Sequence, residues 1–130
     1  MLRDANLQPM LPIQDIAEAQ QFYDQTLGLQ RVHEHAGEVL TYKSGNTTFN
    51  VYRSQFAGTN KGTAAVWEVD DVEKTAQDLK AKGVVFEHYD NMTGLQRQGD
   101  VYRADDFAVA WFKDPAGNIL SIQSKPRDLA

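Results

Sequence analysis

Pro9-Met10-Leu11-Pro12-Ile13-Gln14-Asp15-Ile16 and Ala65-Val66-Trp67-Glu68-Val69-Asp70-Asp71-Val72 decide the fold, because they are two copies of one unit. Each is a short apolar strand run that ends on an aspartate and opens into a helical stretch. The first helical stretch reaches Leu27 and leads into Gly28-Leu29-Gln30-Arg31-Val32-His33. The second reaches Lys82 and leads into Gly83-Val84-Val85-Phe86-Glu87-His88. Asp15 matches Asp71, Ile16 matches Val72, Gly28 matches Gly83, and His33 matches His88. The displacement is 56 residues at the aspartates and 55 at the glycines, so the first helical stretch carries one extra residue.

Local chemistry explains each part of the unit. Asp15 and Asp71 stand where a strand gives way to a helix, where a carboxylate caps free backbone N–H groups. Ile16, Ala19, Tyr23 and Leu27 form one apolar stripe at spacings of three and four, and Val72, Thr75, Ala76 and Leu79 repeat it. Gly28 and Gly83 follow as left-handed C-caps. Strand signals occur at Leu29–Glu34, Val39–Lys43 and Thr47–Arg53 in the first half. Their counterparts are Val84–Tyr89, Phe107–Phe112 and Asn118–Ser124 in the second. Ser44-Gly45-Asn46 and Asp114-Pro115-Ala116-Gly117-Asn118 read as the matching hairpin turns. Residues 91–106, Asn91 to Asp106, are polar and weakly periodic and read as a long loop over one face.

The chain is therefore α+β, built of two pseudo-symmetric β-α-β-β-β modules at about 5–58 and 62–126 within one domain spanning 1–130. One helix cannot cover both faces of a four-stranded sheet. Two such units cover the rest by curving around each other, as a mixed sheet around a cavity.

Composition narrows the function. The 130 residues are 42% hydrophobic and 24% charged, ordinary for a soluble domain able to bury a core. Cysteine is absent, which removes disulfides, thiol nucleophiles and thiolate metal sites. A net charge of −5 with scattered basic residues argues against nucleic acid as a partner. No apolar run reaches the ~20 residues of a membrane span, and the N-terminal residues lack a secretory pattern, so a cytoplasmic location is expected. No phosphate-binding glycine loop, nucleophile elbow or zinc-protease helix occurs. Asp70-Asp71 and Asp105-Asp106 are paired carboxylates, but Asp71 has a capping role and the other pair reads as a solvated run.

The sequence resembles the vicinal oxygen chelate superfamily, which includes glyoxalases, extradiol dioxygenases and bleomycin-resistance proteins. Three segments carry the resemblance: Leu11-Pro12-Ile13-Gln14-Asp15 through Phe22-Tyr23 to Leu27-Gly28-Leu29, then Trp67-Glu68-Val69-Asp70-Asp71-Val72, then Ala110-Trp111-Phe112-Lys113-Asp114-Pro115-Ala116-Gly117-Asn118-Ile119-Leu120. With the repeat they cover nearly the whole chain. The resemblance implies paired modules, a cavity and a homodimer. It implies fold more strongly than chemistry, since the superfamily holds metal enzymes and metal-free binders alike.

In the family's metal enzymes the ligands are His, Glu or Gln on the first and last strands of each module. Those places correspond here to Gln8, Ala64, Ser121, and Asn50 or Phe49 according to register, with Asn50 preferred. Ala64 has no donor atom, Ser121 is a poor ligand, and a neutral set offers a dication no counter-charge. No cofactor is therefore expected, and a divalent metal is the alternative. His33 and His35, two apart, point to one face of a strand and form a half-site for zinc or nickel, with Glu38 as a third candidate. Their simpler reading is a solvated sheet edge.

Strand alternation turns Met10 to the side of Gln8, Val66 to that of Ala64, and Ile119 to that of Ser121. Leu7, Leu11, Ala65, Trp67, Val69, Leu120 and Ile122 then face the helices as core. Asn50, Tyr52 and either Trp111 or Phe112, with Trp111 preferred, complete the other side. The expected ligand pocket is thus Gln8, Met10, Asn50, Tyr52, Val66, Trp111 and Ser121, suited to an uncharged or aromatic small molecule. The favoured reading is a metal-independent binding protein acting as a homodimer, with non-catalytic binding preferred. A lyase, isomerase or dioxygenase with an atypical ligand set is the second reading. A ferredoxin-like regulatory fold is the third, and it requires a helix at Phe107–Phe112.

Overall fold

The computed structural model describes residues 1–89 and 94–125, and the fold is α+β with two mixed sheets. The chain divides into two units, one of Met1–Thr59 with Pro115–Asn118 and one of Asn60–Asp114 with Ile119 onward.

In the first unit β1 (Met10–Ile13), β2 (Gln30–His35), β3 (Val39–Ser44) and β4 (Thr47–Arg53) form a sheet in the order β1-β4-β3-β2. β1 runs parallel to β4 and the other pairs are antiparallel. Asp15 caps α1 (Ile16–Gln20), its Oδ1 accepting from the Glu18 backbone N–H at 3.1 Å. The helix then widens into a π-helical turn at Gln21–Thr26 before Gly28 turns the chain at φ 70°. That turn sits within the stretch that has one residue more than its counterpart, and a π-turn is how a helix absorbs a single extra residue. Tyr23, carried by this turn, packs at 5.5 Å from Tyr42 and 5.9 Å from Phe49, over a core of Leu11, Ile13, Leu40 and Val51. Leu7 is no part of that core. It is 90% exposed, because β1 begins only at Met10 and no sheet extends beneath it.

The second unit holds β5 (Thr63–Val69), α2 (Val72–Ala81), β6 (Phe86–Glu87), β7 (Gln96–Gln98), β8 (Val101–Ala104), β9 (Phe107–Lys113) and β10 (Ile119–Ser124). The sheet order is β5-β10-β9-β8-β7, with β6 also on β9. Asp71 Oδ1 accepts from the Lys74 N–H at 3.0 Å, and Gly83 follows the helix at φ 98°. Leu120, Ile122, Ala110 and Phe112 face the helix side, where Trp67 stacks on Phe112 at 6.4 Å. Phe107–Phe112 lies within a strand, against the ferredoxin-like alternative.

Two expectations change here. The strand expected at Val84–Tyr89 shrinks to Phe86–Glu87. The long loop expected over residues 91–106 is, in its described part, a hairpin of β7 and β8; residues 91–93 lie outside the described residues. Its polar outer strand conceals a buried inner one. Val101 is 1% and Tyr102 2% exposed, because β8 pairs along the edge of β9 that β6 leaves open. Among the described residues no helix is long and apolar enough to cross a membrane.

Candidate functional site

Each sheet turns one face to its helix and the other away from it. In the first unit Met10 is paired with Asn50, and Asn50 with Thr41, across three strands. Residues directly opposite in a sheet share a face, so these three line the side away from the helix. Asn50 shares that face, whereas Phe49 packs against Tyr23 on the helix side. Thr41 Oγ1 donates to Asn50 Oδ1 at 2.6 Å, and Asn50 Nδ2 donates to Gln8 Oε1 at 3.1 Å and to Met10 Sδ at 3.2 Å. Gln8 Nε2 in turn donates to Thr48 Oγ1 at 3.3 Å. Asn50 is 8% exposed, so its amide is fixed by partners rather than by water. Tyr52, paired with Val39 and Pro12, is half-buried on the same face.

In the second unit the corresponding ladder is Val66, Ser121 and Trp111. They line a groove of about 420 Å³ together with Ala64, Phe107, Val109 and Leu95. Ser121 is only 3% exposed at its floor, whereas Val66 is 46% exposed. The Trp111 ring is held on three sides. Its Nε1–H donates to Thr63 Oγ1 at 3.1 Å, and Tyr89 and Tyr102 meet it edge-to-face at 5.7 and 5.2 Å. Tyr102 is fixed in turn, its hydroxyl donating to the Tyr89 carbonyl at 3.0 Å and accepting from the Tyr89 N–H. Burial, with Glu87 nearby, raises the Tyr89 phenol above its ordinary value, so it stays neutral. Among the described residues no charged side chain lines this groove.

The expected pocket residues thus fall into two sets. Gln8, Met10, Asn50 and Tyr52 share the face of the first unit, and Val66, Trp111 and Ser121 share the groove of the second. Gln123, Val109 and Phe107 follow from the same two-residue alternation. Thr63 and Leu95 could not be found that way, since their roles depend on a cross-strand bond and on the hairpin.

The residues at the positions implied for a metal do not fit a divalent ion. Ala64 brings no donor and Ser121 a neutral hydroxyl, while the Gln8 and Asn50 carbonyl oxygens already accept from neighbours. Among the described residues no three His, Asp or Glu side chains converge. His33 and His35 are exposed on the edge strand β2, and Glu38 is turned to Arg53 at 3.6 Å.

Among curated proteins, none matches the chain. Solved structures do. Lactoylglutathione lyase from Agrobacterium tumefaciens is 19% identical with a TM-score of 0.68, covering 93% of each chain. A bleomycin-binding protein complexed with bleomycin is 17% identical with a TM-score of 0.68, covering 93% of this chain and 98% of the other. TnmS3, an antibiotic-binding protein from Streptomyces sp. CB03234, is 19% identical with a TM-score of 0.64, over 94% and 98%. At these identities the likeness shows a shared fold. The family model described as Glyoxalase/Bleomycin resistance protein/Dioxygenase superfamily matches residues 7–122, the span that holds both repeats, both aspartate caps and the Asp-Pro-Ala-Gly-Asn turn. Nearly the entire chain is accounted for in this way, and it belongs to that superfamily.

Proposed function

We propose that the protein binds an uncharged or aromatic small molecule in the groove of its second unit, without a metal at the positions the superfamily's enzymes use. The observation that carries this reading is the clamped Trp111 ring beside an apolar groove whose lining, among the described residues, carries no charge. An aromatic wall already fixed by Thr63, Tyr89 and Tyr102 loses little freedom when a ligand stacks on it. Ser121 and Gln123 supply the few polar groups that orient such a ligand. That structural neighbours include binders of bleomycin and of an antibiotic supports a binding role.

The reading also takes the protein as a cytoplasmic homodimer. Met10, Val66 and Phe107 are 49%, 46% and 39% exposed on strands, more apolar surface than those positions need for the core of one chain. Light scattering coupled to size exclusion tests the dimer.

Calorimetric titration with a series of uncharged aromatic amides tests the binding role. Heat of binding is expected for the native protein and roughly tenfold weaker affinity for Trp111→Ala, the scale of an aromatic anchor. Equal affinity in both proteins would place the ligand elsewhere.

A further inference from the structure

The sheet face of the first unit carries a separate signal, in the sorting of charge across strand β2. Between Arg31 and His33 the pairing of β2 with β3 shifts register. Before the shift Arg31 lies opposite Tyr42, on the helix side, with its guanidinium 3.6 Å from Asp24 and 3.0 Å from Glu34. After it, His33 lies opposite Thr41 and His35 opposite Val39, on the side of Asn50. Plain alternation would put Arg31, His33 and His35 on one face; the bulge divides them. It sends the guanidinium and the carboxylates to the helix side and both imidazoles to the open side.

Lys43, two residues beyond Thr41 on β3, lies on the same face as the imidazoles, nearer in register to His33 than to His35. Lys43, His33 and His35 are exposed and have no ion pair among the described residues. None of the residues that β1 to β4 turn to this face is Asp or Glu, in a chain of net charge −5. The Thr41–Asn50–Gln8 row beside them spends its donors on its own members and neighbours, which leaves Lys43, His33 and His35 as unpaired donors of this face.

We infer that this face binds the carboxylate of a small organic acid, through Lys43, His33 and His35. A Lys ammonium and imidazole N–H groups all donate to carboxylate oxygens, and no Asp or Glu that these strands turn to this face competes for them. The inference goes beyond the groove reading and rests on different residues.

Amide NMR titration of the full chain with benzoate, benzamide and inorganic phosphate tests it. Benzoate is expected to shift the signals of His33, Thr41 and Lys43, less so at high salt, and benzamide to leave them in place. His33→Asn and Lys43→Gln are each expected to weaken benzoate binding roughly two- to fivefold, the range of a solvent-exposed ionic contact. Should one variant fail to fold, the other carries the test. Benzamide or phosphate shifting this face as strongly as benzoate would overturn the assignment. So would benzoate shifts confined to Trp111 and Ser121, an outcome that leaves the groove reading standing.

Discussion

The side-chain amide of Asn118 donates to the backbone carbonyl of Pro12 at 2.7 Å, joining residues 106 apart in sequence. Pro12 lies in β1, an edge of its sheet, where its missing N–H costs no ladder bond but its outward carbonyl needs a donor. Asn118 is 3% exposed, so the bond is shielded from water. Asn118→Ala is expected to lower stability by about 1–2 kcal/mol, because it orphans a buried acceptor. Urea unfolding of the two proteins measures it.

The same turn explains Gly58. A Cβ placed there would stand 2.3 Å from the Ala116 carbonyl oxygen, and the residue already sits at φ 80°. The atoms it would meet, from Ala116 and Gly117, are all backbone and cannot give way. Gly58→Ala is expected to cost about 1–3 kcal/mol and to lower the melting temperature accordingly.

Thr63 acts in the groove through Trp111. Thr63→Val keeps the shape and removes the acceptor for the indole N–H. Affinity for aromatic amides is expected to fall by about three- to tenfold with little change in melting temperature, since the contact is solvent-accessible. Calorimetry separates this from a folding defect.

Asp100, in the turn between β7 and β8, joins helix α2 and the segment after β6. His88 Nε2 lies 2.8 Å from Asp100 Oδ1, and Lys80 Nζ donates to Oδ2 at 3.1 Å. The His88 contact holds the carboxyl below its ordinary value, burial opposes that, and Lys80 adds to it. A carboxyl lowered on folding binds fewer protons in the native state, so its stabilisation is present above the unfolded value and is lost as pH falls through the folded one. Asp100→Asn is expected to be less stable by about 1 kcal/mol at neutral pH. The gap should close at acidic pH, as the native carboxyl protonates at a value below its ordinary one. Urea midpoints across that range provide the measurement.

Chelator is expected to leave both melting temperature and ligand affinity unchanged, and added nickel or manganese to raise neither. A resident ion at a hundred times its dissociation constant would add about 2.7 kcal/mol. A chelator-sensitive melting temperature would contradict the reading of Gln8, Asn50, Ala64 and Ser121.

Much of the fold can be read from the chain because its signals are local. Asp15 and Asp71 cap the helices that follow them, since a carboxylate three residues from a free N–H reaches it whatever surrounds the pair. Gly28 and Gly83 take positive φ for the same kind of reason. Strand alternation likewise places Met10 beside Asn50 and Val66 beside Ser121 once the repeat is recognised. The extra residue before Gly28 is visible as a slip in the repeat, though only the structure shows it as a π-turn around Tyr23.

The remainder depends on contacts between distant segments. Val101 and Tyr102 lie in a polar stretch without periodicity, and β9 and Trp111 bury them. Alternation cannot reveal the bulge before His33, because an inserted residue changes which face follows without changing the pattern of residue types. Nor does any local signal join Asn118 to Pro12. The sequence by itself determined the caps, the glycine turns, the two-module order and the poor metal-ligand set, all carried by residue type and short spacing. Tertiary structure alone decided which face each histidine takes, what clamps Trp111 and which donor satisfies an edge carbonyl, because those depend on what another strand presents opposite.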